Sequence, residues 1–134
     1  MFGAGAVLDA TKAQSKSDTF AVALVWIKVG PTDQQFSAAS NAREMSDPRV
    51  KHFYDSQRSI GQQYSEVLWP GEEELAWDIY FVYEKGVTWT DAPPQPTKWV
   101  TQLGWLFYSD SAHFRQDEKL SIAIRENLES VLHQ

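Results

Sequence analysis

The chain of 134 residues has the length of one ordinary domain, and its 43% hydrophobic and 13% aromatic content is enough for a real core. A net charge of −6, without any basic cluster, sets it against phosphate backbones at long range, so no nucleic-acid partner is expected. The absence of cysteine excludes disulfides, thiolate nucleophiles and cysteine-ligated zinc.

Residues 1–19 are the least defined part of the sequence. Gly3 and Gly5 favour a loose start. Residues 6–13 can form a helix, and the polar stretch 15–18 then breaks it. The apolar opening carries no Lys or Arg and is interrupted by Asp9, so no secretory signal is expected there. No stretch approaches the ~20 apolar residues of a membrane span. The lack of cysteine fits a reducing cytoplasm, the expected location.

Residues 20–29 (FAVALVWIKV) form an almost continuous apolar run ending at Gly30-Pro31. That pattern predicts a strand buried on both faces and central to a parallel sheet. Thr32 and Gln35 have capping-box spacing and open a helix expected to reach about Ser46, where Asp47-Pro48 stops it. Residues 49–54 (RVKHFY) predict a short strand. Asp55 or Ser56 then caps a helix whose stripe is Ile60, Tyr64, Val67 and Leu68. Gly61 weakens that helix by about 1 kcal/mol relative to Ala, which a close packing contact would explain.

Residues 76–84 (AWDIYFVYE) give the clearest strand. The Lys85-Gly86 pair predicts a tight turn, with residues 87–90 returning as the antiparallel partner. Residues 92–96, with three prolines, are extended. Residues 99–108 are ambiguous, and 105–108 (WLFY) fit either a strand or a buried loop. A final helix is expected from about Asp117 to Leu132, with the stripe Leu120, Ile124, Leu128 and Val131. Asp117 and Glu118 suit its positive end. A single α/β domain over residues 1–134 follows.

From residue 20 onward the order is strand, helix, strand, helix, hairpin, helix. With the stretch from Phe53 through Asp55, Gly61 and Tyr64, and the strand from Trp77 to Tyr83 with its turn at Gly86, this resembles the thioredoxin fold. More narrowly it resembles the bacterial peroxiredoxin and thiol–disulfide oxidoreductase group. The resemblance covers roughly residues 20–90. It implies a mixed sheet flanked by helices, with the first strand–helix unit missing or replaced. The family's reactive cysteine motif has no counterpart here, and Trp77 stands where the family has its cis-proline. No catalytic residue carries over. A sheet lacking its first strand needs other cover, either a short strand at residues 2–8 or a second copy of the chain, so a homodimer is expected.

Five residues stand out as ligand-binding candidates: His52, Tyr54, Asp55, Trp77 and Asp78. His52 and Asp55, three apart at a strand end, could form a proton-transfer pair or half a metal site. An Asp helix cap beside a half-buried His is the plainer reading and outweighs it. Trp77 and Asp78 could make a ligand wall with one polar handle. A packed Trp and a carboxylate satisfied by loop N–H groups outweigh that too, although a carboxylate entering an apolar strand needs a partner. His113 and His133 have no ligand spacing, and neither a nucleophile elbow nor a phosphate-binding glycine loop is present. No cofactor and no metal are expected. The expected function is a non-catalytic module that binds a small molecule or a protein on a redox-inactive scaffold. The alternative is an enzyme using carboxylate–histidine chemistry at Asp78, His52 and Asp55.

Overall fold

The apolar run after residue 20 forms a strand because its Val, Ile and Trp side chains suit a pleated surface better than a helix. A computed structural model describes residues 2–14, 19–31, 35–103 and 112–133. The elements in chain order are α1 (Phe2–Ala13), β1 (Val22–Ile27), α2 (Gln35–Glu44), β2 (Val50–Asp55), α3 (Ser59–Leu68), β3 (Ile79–Val82), β4 (Lys98–Thr101) and α4 (Asp117–Leu132). The class is mixed α/β. Among the described residues, no helix is long and apolar enough to cross a membrane. The chain divides into two compact units, one of residues 1–14 with 78–134 and the other of residues 15–77.

In the unit of residues 15–77, β1 and β2 pair in parallel, with Leu24 opposite His52 and Trp26 opposite Tyr54. The expectation of a strand buried on both faces does not hold. Ala23 is exposed and the other β1 residues are half-buried, because β1 belongs to a two-stranded sheet. Alternation sends Leu24, Trp26, Val50, His52 and Tyr54 to one face. Ala23, Val25, Lys51, Phe53 and Asp55 take the other. Helix α2 ends at Glu44, ahead of Asp47-Pro48 as expected. The capping-box residue Thr32 and the polar break at 15–18 lie outside the described residues. Gly61 is buried in α3, and a Cβ there would sit 2.6 Å from Leu75 Cδ1 and 2.7 Å from the Ala76 carbonyl oxygen. The Ala76 N–H donates to the Gly61 carbonyl at 3.2 Å. The close contact inferred for this glycine is therefore present.

The other unit has its core where α1 lies on α4: Ala6, Ala10, Val100, Leu120 and Ile124 are buried together, with Val7, Tyr80, Ala123 and Leu128 packed against them. The first residues thus form a helix rather than a loose start or a short strand. Gly3 is what lets the helix approach, since a Cβ there would fall 1.5 Å from the Tyr80 hydroxyl. Strand β3 pairs antiparallel with β4, Ile79 opposite Thr101 and Val82 opposite Lys98. This corrects the expected hairpin with residues 87–90. The turn at Lys85-Gly86 forms, with Gly86 at φ 92°, but the chain beyond it stays exposed and the return strand comes later. On its other side β4 meets a second segment in parallel, where the Thr101 N–H donates to the His113 carbonyl and the Arg115 N–H to the Thr101 carbonyl. Residues 105–108, left open between strand and loop, lie outside the described residues.

The two sheets are separate, β1–β2 and β3–β4. The single mixed sheet implied by the redox-family resemblance does not form among the described residues.

Candidate functional site

His52 sits on the inward face of β2 with both ring nitrogens engaged. The Trp26 indole N–H donates to Nδ1 at 3.1 Å, and Nε2 lies 3.1 Å from the Met45 carbonyl oxygen. Because Nδ1 accepts, the ring hydrogen resides on Nε2 and points at that carbonyl. The two rings lie in nearly parallel planes, 5° apart, with centroids at 6.2 Å. One imidazole thus links β1, β2 and the chain leaving α2. A shallow, open depression of about 380 Å³ lies beside it, lined by Ala42, Ser46, Asp47, Pro48, Val50 and His52. Asp47 is engaged there too. Its Oδ2 lies 3.0 Å from Arg49 Nη2, and its Oδ1 accepts from the Arg49 backbone N–H and Nε.

Asp55 ends β2 on the opposite face from His52. Its two oxygens accept the N–H groups of Ser59 and Ile60 at 3.1 and 2.8 Å, the first free donors of α3. No hydrogen bond joins it to His52, so the proposed proton-transfer pair is not assembled. Arg58 precedes the helix at φ 61°, and its guanidinium donates to the carbonyls of Lys28 and Val29 at 2.7 and 3.1 Å. That pins the chain leaving β1 beside the helix start. Tyr54 and Trp77 are both half-buried.

Asp78 belongs to the unit of residues 1–14 and 78–134, while His52, Tyr54, Asp55 and Trp77 share that of residues 15–77. Asp78 adopts φ 55°, a left-handed conformation uncommon for a residue with a Cβ. Its Oδ1 accepts from the Tyr80 hydroxyl at 2.5 Å and from Gln102 Nε2 at 2.6 Å. Its backbone carbonyl accepts from the Thr101 hydroxyl at 3.1 Å. The partner that the sequence required is therefore a pair of side chains rather than loop N–H groups. Burial, then the neighbouring Asp78 charge and the bond to it, push the Tyr80 phenol well above its ordinary range, while Gln102 pulls the other way. The cluster closes on itself and ties β3 to the end of β4.

The three groups proposed for acid–base chemistry are thus each bonded inside their own unit. What sequence reading passed over is Phe53, 52% exposed on the outward face of β2 beside exposed Lys51 and Ala23. The signal was present in the alternation: with His52 and Tyr54 turned inward, residue 53 has to point out.

The chain matches no family model, no curated protein and no solved structure.

Proposed function

We propose that the chain is a non-catalytic interaction module that contacts a partner protein through the outward face of β1–β2, with Phe53 as its apolar anchor. The observation that carries the reading is a large aromatic side chain left 52% exposed on a regular strand. The polar candidates His52, Asp55 and Asp78 already serve as a side-chain bridge, a cap and a closed cluster. Aromatic anchors of this kind dominate protein contact energetics, and a neighbouring Lys51 supplies a polar rim. A carboxylate–histidine enzyme has less support, because its groups would first have to give up those bonds. The proposal does not lean on the redox-family resemblance, which requires the equivalents of β1 and β3 in one sheet.

Affinity capture by the wild-type chain and by Phe53→Ser, compared by quantitative mass spectrometry, tests the reading. The expected outcome is a protein held about tenfold better by the wild type, the ratio given by one anchor of about 1.4 kcal/mol, at unchanged melting temperature. Equal retention by both forms, or a turnover activity lost on Asp55→Asn, would overturn it.

A further inference from the structure

We infer that the Trp26–His52–Met45 contact is a proton-sensitive latch, in which a proton taken up by His52 releases the Trp26 indole while the end of α2 stays attached. The geometry is asymmetric. The indole N–H can only donate, and it is directed at Nδ1, 3.1 Å away. A protonated imidazole carries hydrogens on both nitrogens and has no acceptor to offer. Two donors would then face each other across the Trp26 contact. The bond from Nε2 to the Met45 carbonyl survives, because that nitrogen already donates. The moving part is therefore Trp26 on β1, and the fixed part is the chain leaving α2.

The ring is half-buried and lines an open depression, so water can deliver the proton. The charged group in that depression is Asp47, whose carboxylate is held by Arg49. The last turn of α2 carries Arg43 and Glu44, both exposed. On the same face β1 presents Val22, Leu24 and Trp26, none of which titrates, and β2 adds Tyr54. Lys51 and Asp55 lie on the far face of β2.

The test follows the indole N–H signal of Trp26 by nitrogen-edited NMR from about pH 8 to about pH 5, the span over which imidazole titrates. Trp26→Phe assigns the signal, and the ring C–H signals of His52 are followed alongside. The expected result is an upfield movement of the Trp26 signal in step with His52. That movement should be lost in His52→Asn, whose side-chain oxygen accepts without titrating. If that variant does not fold, the wild-type correlation decides alone. A Trp26 signal that stays in place while His52 titrates, a His52 that does not titrate in the folded protein, or a shift persisting in a folded His52→Asn would overturn the latch.

Discussion

Replacing Gly3 and Gly5 by alanine, one at a time, separates helix propensity from packing within a single helix. Both lie in α1, where alanine gains at most about 1 kcal/mol over glycine. A Cβ on Gly5 meets nothing within 4 Å, so Gly5→Ala should show that gain. A Cβ on Gly3 would lie 1.5 Å from the Tyr80 hydroxyl and 2.3 Å from Cζ. Non-bonded atoms settle near 3.5 Å, so helix or ring has to give way by about 2 Å. The ring is not a loose tip, since its hydroxyl is tied to Asp78 and reached by Gln102. Overpacking costs about 1–3 kcal/mol, and loosening a hydrogen bond to a charged acceptor about 1.5–3 kcal/mol. Set against the propensity gain, Gly3→Ala should lose about 1.5–5 kcal/mol. Calorimetric melting should show a drop on the order of 10 °C for Gly3→Ala and a small rise for Gly5→Ala. Equal melting temperatures for the two variants would refute the close approach of α1 to Tyr80.

Gly61→Ala should also destabilise, by about 1–2 kcal/mol in urea unfolding, because the Ala76 carbonyl at 2.7 Å is backbone and cannot swing aside as the Leu75 tip can. Asp55→Ala removes the acceptor for the Ser59 and Ile60 N–H groups and should cost about 1 kcal/mol, with faster amide exchange at those two positions as the direct readout. Tyr80 gives a pH effect whose sign is fixed: its folded pKa lies above the unfolded value, so the native state keeps the phenolic proton longer. Its contribution to stability is complete below about pH 10 and is lost as the pH rises beyond that. Phenolate absorbance of the folded wild type and of Tyr80→Phe should coincide up to alkaline unfolding. An additional phenolate in the folded wild type would contradict the buried Asp78–Tyr80 bond.

The elements that sequence patterning captured are those whose burial follows a simple period. Leu120, Ile124 and Leu128 line α4 as their spacing requires, β1 lies within the apolar run of residues 20–29, and β2 overlaps the partly alternating stretch 49–54, one residue displaced. Strand pairing was less legible because local turn chemistry competes with burial. The Lys85-Gly86 turn is real, but residues paired beside it would carry Val87 and Trp89, which are 44% and 46% exposed. The later segment offers Val100 and Thr101, at 5% and 0% exposure, together with a bond from the Thr97 N–H to the Val82 carbonyl. The core against α1 and α4 therefore selects β4, and the proline-rich stretch serves as the connection. Residues 6–13 of α1 follow the expected helix, but its start at residues 2–5 was obscured for a related reason. A glycine that lowers intrinsic helix propensity is also what allows close approach, and nothing in the local sequence names Tyr80 as the group approached.

The candidate site was legible residue by residue but not as a constellation. Asp55 caps α3, as its place at a strand end suggested, although it acts across three residues because Arg58 occupies the left-handed turn between. Asp78 needed a partner, and the sequence could not say that it would be Gln102, 24 residues away and beyond a strand pairing assigned elsewhere. His52 needed a donor and an acceptor, and both come from contacts that only the parallel register of β1 on β2 and the end of α2 create. His52 and Asp55 stand out by their spacing at a strand end, and Asp78 because a carboxylate entering an apolar strand demands a partner. The same demand can be met by internal bonds, and here it is met that way at all three. The observation left over is the reverse case, an apolar group in a polar setting. Phe53, 52% exposed between His52 and Asp55, is such a residue, and no internal bond explains it.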